Sequence, residues 1–60
     1  MEGELRDVWT VGEVASYLRT TVRTVRGLIR RKEIKALRVG REYRITREAL
    51  EEYLKGKESQ

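Results

Sequence analysis

The hydrophobic positions that follow Trp9 have the pattern of a short amphipathic helix. The apolar residues recur every three or four positions: Val11, Val14, Ala15 and Leu18. Thr10 precedes this stripe. Glu13 lies three residues after Thr10, which is the spacing of a capping box. Trp9 and Val14 also have the spacing of a hydrophobic staple. The pattern therefore predicts a first helix that begins after Thr10 and ends near Leu18.

A second helix is predicted after the short interruption Arg19-Thr20-Thr21. Thr21 is a suitable N-cap, and the helix is expected to run to about Arg31 or Lys32. One side of this helix is apolar and is expected to pack: Val22, Val25 and Ile29, with Leu28 at its edge. The opposite side carries a basic stripe that is expected to stay free for contacts outside the protein: Arg23, Arg26, Gly27 and Arg30. Two helices separated by so few residues fit a helix-turn-helix.

Beyond Glu33 the hydrophobic period changes to 2, which predicts two short strands. The side chains expected to face inward are Leu37 and Val39 in the first strand and Tyr43 and Ile45 in the second. Gly40-Arg41 suits a tight two-residue turn. Arg38 and Arg44 are then expected nearly opposite each other on the outer face, where like charges repel. An external anion is the expected reason for keeping both.

A third helix is predicted after Thr46, which is a suitable N-cap. Its expected buried stripe is Ala49, Leu50, Tyr53 and Leu54, and its acidic residues Glu51, Glu52 and Glu58 are expected to face solvent. The predicted fold is mostly α with a small β-hairpin, in the order α-α-β-β-α. We expect a flexible N-terminal segment over 1–8, one domain over 9–55 and a disordered tail over 56–60.

The inventory of residue types excludes several kinds of chemistry. Because the chain has no histidine and no cysteine, we expect no zinc site, no disulfide, no metal and no cofactor. The carboxylates fall where capping and solvation explain them, so we predict that the protein is not an enzyme. No apolar run approaches the ~18 residues of a membrane span. The acidic start of the chain is unlike a signal peptide, and a cytoplasmic location is expected.

Basic residues are concentrated in the middle of the chain. Eleven of them lie from Arg19 to Arg47 against only Glu33 and Glu42, so this segment has a net charge of +9 within a chain whose net charge is +4. Such concentration is typical of nucleic-acid binding, in which each neutralised phosphate releases counterions. A solvated charged surface is the alternative explanation of the charge alone.

In this order, the helices and the basic hairpin resemble the excisionase-type helix-turn-helix family, the short relatives of the DNA-binding domains of MerR-type regulators. The matching segments are residues 10–18, Thr24-Val25, Leu28-Ile29-Arg30, residues 38–45 and Glu48-Ala49-Leu50. The resemblance implies a winged helix-turn-helix that binds double-stranded DNA. The second helix would enter the major groove, and the hairpin wing would touch the adjacent minor groove or its backbone.

Carried over to this sequence, the resemblance implies a set of DNA-binding residues: Thr21, Arg23, Thr24, Arg26, Gly27, Arg30, Arg31, Arg38, Arg41 and Arg44. Arg23 is the expected base reader, because arginine can donate two hydrogen bonds to guanine. Arg30, Arg31 and the wing arginines are expected to hold phosphates. Two departures stand out. Arg19-Thr20 occupies a turn where glycine is usual, and Gly27 stands where a large or basic side chain is commoner.

The family includes excisionases that assist a recombinase, transcription regulators, and phage terminase small subunits with a similar domain. The sequence does not separate these roles or predict an operator. Without a long dimerising helix, we expect a monomer, or neighbouring copies on repeated sites, rather than a stable dimer. Two alternatives remain: an RNA-binding module, although the aromatic residues mostly fall on packing positions, and a basic adaptor for an acidic protein.

Overall fold

The computed structural model of the chain describes residues 7–58. Its elements in chain order are β1 (Val8–Thr10), α1 (Val11–Leu18), α2 (Val22–Arg30), β2 (Leu37–Val39), β3 (Glu42–Thr46) and α3 (Arg47–Glu58). The predicted order of two helices, a hairpin and a third helix is confirmed, and a short strand precedes it. Most of the predicted flexible segment, residues 1–6, lies outside the described residues, as do residues 59–60 of the predicted tail.

The start of α1 is fixed by the predicted capping box. The backbone N–H of Glu13 donates to Thr10 Oγ1 at 3.1 Å, and the backbone N–H of Thr10 donates to the Glu13 carboxylate at 2.9 Å. These two backbone N–H groups at the helix start have no carbonyl acceptor within the helix, and the capping box gives each of them an acceptor. The helix ends at Leu18, as predicted.

The turn between α1 and α2 is built on a left-handed residue that is not glycine. Arg19 has φ 60° and ψ 45°, a conformation that costs a non-glycine residue roughly 1–2 kcal/mol. The N–H of Arg19 donates to the carbonyl of Ser16 at 3.1 Å, and the N–H of Thr20 donates to the carbonyl of Ala15 at 2.8 Å. This pair of bonds is a Schellman motif, which satisfies the last carbonyls of α1 and reverses the chain toward α2.

The second helix packs through a narrower face than the sequence predicts. Val25 and Leu28 are buried and Ile29 packs beside them. Val22, which was expected to pack, is 39% exposed. Val22 lies in the first helical turn, beside the turn from α1, so no element covers it fully. The prediction that Val22 packs in the core is therefore wrong, whereas that for Val25 is confirmed.

A second left-handed residue, Lys32, follows the end of α2 at Arg30, which is one or two residues earlier than predicted. Lys32 has φ 64°, and its N–H donates to the carbonyl of Ile29 at 3.0 Å while that of Glu33 donates to the carbonyl of Leu28 at 2.9 Å. The geometry is again a Schellman motif. The reversal directs Ile34, two residues after Lys32, into the core, where it is 2% exposed.

The three strands form one antiparallel sheet with β3 in the centre, in the order β1-β3-β2. Trp9 of β1 pairs with Ile45 of β3. The sequence did not predict β1, because three residues are too few for a period-2 signal and their partner strand lies far along the chain. This strand ties the start of α1 to the hairpin.

The two-residue turn at Gly40-Arg41 is confirmed, and Gly40 has the left-handed φ of 62° that favours glycine there. The turn sets a register in which Arg38 pairs with Tyr43 and Leu37 pairs with Arg44. Arg38 and Arg44 therefore lie on opposite faces of the sheet, and the expectation that they face each other is wrong.

The same register turns the apolar residues of β2 outward. Leu37 and Val39 are 54% and 55% exposed, although both were expected to face the core. In a strand, an offset of one residue moves every side chain to the other face. The inward prediction holds for β3 only, where Ile45 is fully buried and Tyr43 packs against the core.

The core joins all three helices to the sheet. Its buried members are Val11, Val14, Ala15, Val25, Leu28, Ile34, Ile45, Ala49 and Leu50. The predicted cap of α3 is confirmed, because the N–H of Ala49 donates to Thr46 Oγ1 at 3.1 Å. Tyr53 and Leu54 pack against the core, while Glu51 and Glu52 are exposed, as predicted. The predicted tail begins at Gly56, but α3 continues to Glu58, since Lys55 and Lys57 favour the negative end of its dipole.

Candidate nucleic-acid interface

The basic stripe predicted on α2 is exposed. Arg23, Arg26 and Arg30 are all exposed on this helix, and the buried residues Val25 and Leu28 occupy other faces of it. In the part of the chain from residue 7 to 57, no carboxylate pairs with any of the three guanidinium groups. The stripe therefore presents arginines whose charge is not neutralised within the described fold.

The beginning of α2 is held by two threonines of the predicted set. Thr21 Oγ1 accepts a hydrogen bond from the backbone N–H of Thr24 at 3.1 Å, which caps the helix. The Thr21 hydroxyl in turn donates to Thr24 Oγ1 at 3.1 Å. The Thr21 hydroxyl is thus occupied by capping, whereas the hydroxyl proton of Thr24 remains available to an external acceptor.

Gly27 lies within the basic stripe of α2, and the fold does not require a glycine at this position. A Cβ atom built on Gly27 would have Arg31 Nη1 as its nearest neighbour, at 3.4 Å, which is ordinary van der Waals contact with a flexible side chain. Its backbone is helical, so an alanine would fit there. A helix-interior glycine costs roughly 0.5–1 kcal/mol relative to alanine. Nothing within the described residues offsets this cost.

In the wing, which is the hairpin formed by residues 37–46, the three arginines have different surroundings. Arg41 is exposed at the turn. The Arg38 guanidinium lies 5.3 Å from the centre of the Tyr43 ring, a cation–π contact. The Arg44 guanidinium donates to the Glu42 carboxylate at 2.8 Å and to the Tyr43 carbonyl at 3.1 Å.

Two grooves are each lined by residues of both α2 and the wing. One is lined by Arg26 of α2, by Tyr43 and Arg44 of β3, and by the residues at the start of α1. The other, of about 600 Å³, lies between the end of α2 and β2 and is lined by Arg30, Leu37 and Tyr43 among others. Tyr43 of the wing therefore lines both grooves.

Two arginines of the predicted set are already paired with carboxylates. Arg31 donates to Glu33 at 3.0 Å, and Arg44 donates to Glu42. Both pairs are short and local in the sequence, and both remain partly exposed. Among residues 7–57, the unneutralised members of the set are Arg23, Arg26, Arg30, Arg38 and Arg41.

Lys32 and Lys35 lie outside the predicted set but line the groove at the end of α2, beside Arg30. The sequence contained a signal for them, which is the run of basic residues from Arg30 to Lys35. Their place at the groove depends on the chain reversal at Lys32, and helical periodicity cannot predict such a reversal.

Three of the four aromatic residues pack as expected, and one is exposed. Trp9, Tyr43 and Tyr53 pack against the core, as expected. Tyr17 is 57% exposed, and its ring meets that of Trp9 edge to face at a centroid distance of 5.5 Å.

In residues 7–58, no helix is long and apolar enough to cross a membrane.

Residues 10–58 match the family model described as a helix-turn-helix domain. This range begins at the N-cap of α1 and takes in the wing and α3. No curated protein and no solved structure gives a significant match to the chain.

Proposed function

Because the chain belongs to the excisionase-like helix-turn-helix domain family, we propose that it binds double-stranded DNA with α2 in the major groove and the wing on the adjacent minor groove or backbone. Residues 9–55 form the unit that carries this function. The observation that carries the proposal is the set of unneutralised arginines on α2 and the wing, on elements that share two grooves.

The dimensions of α2 support its role in the groove. The helix has nine residues, which corresponds to a length of about 13.5 Å. The major groove of B-DNA is about 12 Å wide. The exposed stripe has neither a carboxylate partner nor a bulky apolar residue, so it can approach base edges without first breaking an ion pair.

The residues of the stripe take different roles in this proposal. Arg23 lies in the first turn of α2 and reads a base, by two hydrogen bonds to guanine O6 and N7. Thr24 donates its free hydroxyl proton, and Gly27 lets the helix backbone approach the DNA closely. Arg26 and Arg30, which line the two grooves, hold phosphates.

In the wing, Arg41 makes the main phosphate contact, because it is exposed at the tip. Arg38 is oriented by the Tyr43 ring and contributes a second contact. Arg44 and Arg31 contribute less, since a carboxylate already neutralises each of them.

Within the cell, the protein acts as an accessory factor to a recombinase or as a small transcription regulator. It binds as a monomer or as neighbouring copies on repeated sites. Both roles require the same duplex-binding surface, so the experiment below tests what they share.

Titration of labelled probes with the purified protein tests the proposal. We expect binding to duplex DNA that is tighter than binding to single-stranded RNA or DNA, with an affinity that falls as salt rises. Preferred binding to single-stranded RNA would favour the RNA-binding alternative. Binding to none of the nucleic acids near physiological salt would reject the proposal and favour an acidic protein partner.

A further inference from the structure

Among residues 7–58, the non-glycine residues with positive φ are Arg19 and Lys32, and both carry a positive charge. Each occupies the left-handed position of a Schellman motif, one after α1 and one after α2. Glycine is the usual residue at that position, because it has no Cβ, and asparagine is the usual substitute. The chain therefore places a strained basic residue, twice, where a relaxed glycine would close the same hydrogen bonds.

The helix dipole gives an incomplete explanation of the choice of Lys32. A cation near the end of a helix interacts favourably with the carbonyl groups there. The end of α2, however, already carries Arg30 and Arg31, so Lys32 adds little to that effect. Both residues are exposed, and within residues 7–57 neither side chain pairs with a carboxylate. Neither side chain forms an ion pair with another described side chain.

The two residues lie at the two ends of α2. Arg19 precedes the first residue of the helix by three positions, and Lys32 follows the last by two. A helix that crosses the major groove has a phosphate backbone near each of its ends, and the length of α2 is close to the width of that groove. Lys32 also lines the groove that it shares with Arg30 and Lys35. Cations at both ends are thus placed to meet the two backbones.

We propose that Arg19 and Lys32 are a pair of phosphate clamps, one for each DNA strand beside α2, and that the chain keeps strained backbone at both positions for the sake of these charges. The inference rests on the proposed function, since it assigns two further contacts to the same duplex. It differs from the family resemblance, in which the turn position held by Arg19 is usually glycine.

The experiment measures duplex affinity as a function of salt, together with thermal unfolding, for variants that separate charge from strain. Arg19→Gly and Lys32→Gly remove one charge each and relax the backbone. Arg19→Lys and Lys32→Arg keep both the charge and the strain. Lys57→Gln on α3 is the matched control, because it removes one positive charge from a helix outside the two grooves.

We expect each glycine variant to bind more weakly to all duplexes. The fall of log K with log salt should become less steep, by about 0.9 in slope for each single variant and by about 1.8 for the variant that carries both Arg19→Gly and Lys32→Gly. Unfolding midpoints of the glycine variants should rise by a few degrees or stay level, since relief of strain opposes the greater freedom of glycine in the unfolded chain. The charge-conserving variants and Lys57→Gln should keep the wild-type slope.

Wild-type binding that neither glycine variant weakens would overturn the clamp and leave the proposed function standing. The clamp would also fail if Lys57→Gln made the salt dependence less steep by as much as the glycine variants do. The net charge of the protein would then explain the effect. A wild-type protein that binds no duplex would overturn both proposals. A glycine variant that unfolds at a clearly lower temperature would overturn the role of strain, even where the charge effect is found.

Discussion

The Arg44 guanidinium donates to the Glu42 carboxylate at 2.8 Å within the same strand. Alternate residues of a strand share a face, so the pair lies on one side of the wing. The opposite side carries Arg38 and Tyr43. The wing is therefore divided into a face on which an arginine is neutralised and a face on which an arginine is oriented by an aromatic ring.

This relationship predicts that Glu42→Gln strengthens binding to every duplex. The change removes a negative charge and frees Arg44, so the fall of log K with log salt should become steeper, by up to about 0.9 in slope. Glu51→Gln is the matched control, since it breaks the pair of Glu51 with Arg47 on α3 at 4.0 Å. Titrations at several salt concentrations measure both variants. Equal strengthening by the control would point to net charge alone.

We expect Gly27→Ala to stabilise the free protein and weaken its binding to DNA. The added Cβ meets only Arg31 Nη1 at 3.4 Å, so the free energy of unfolding should rise by about 0.5–1 kcal/mol. A methyl group on the stripe would keep α2 farther from the DNA. Thermal unfolding and duplex titration measure the two effects.

Gly56→Ala provides the control for this substitution. Gly56 also lies in a helix, and a Cβ there would meet nothing within 4 Å. The control should stabilise the protein without changing affinity. If Gly27→Ala likewise left affinity unchanged, Gly27 would be a tolerated surface glycine and the close approach of α2 would be wrong.

Arg41→Ala is expected to weaken binding to all duplexes about equally. Arg41 lies at the exposed tip of the wing, where a phosphate contact carries no sequence information. The fall of log K with log salt should become less steep by about 0.9 in slope, and the ranking of different duplexes should not change. Wild-type affinity for this variant at every salt concentration would remove the wing from the interface.

The capping box predicts a measurable role for Thr10 in stability. Thr10→Ala removes the acceptor at 3.1 Å from the Glu13 N–H, which should lower the free energy of unfolding by about 0.5–2 kcal/mol. Ser16→Ala, at an exposed position of the same helix, should be nearly neutral. Chemical denaturation compares the two variants. Equal stability of both would mean that the box contributes nothing to the fold.

Local signals in the sequence were sufficient to predict where the three helices begin. The cap at Thr10, the cap at Thr21 and the stripe on α3 depend on residues three or four positions apart, and each was found where predicted. The resemblance to the helix-turn-helix family rests on these same segments, and the family match confirms it.

Features that depend on distant or backbone geometry were missed or misplaced. The strand β1 exists because Trp9 meets Ile45 across the sheet, and no local pattern encodes that pairing. Leu37 and Val39 alternate correctly for a strand, but the turn at Gly40 sets which face they occupy. The pairing of Arg44 with Glu42 likewise follows from the strand geometry, and it changes the role of one predicted site residue.

Selection from a random duplex library near physiological salt tests whether α2 reads a DNA sequence. The purified wild-type protein and Arg23→Ala would be used in parallel, and the bound duplexes sequenced. We expect the wild type to enrich one short motif that contains a guanine whose identity Arg23→Ala no longer selects. No enriched motif, or the same motif with undiminished preference in Arg23→Ala, would mean that α2 does not read a DNA sequence through Arg23.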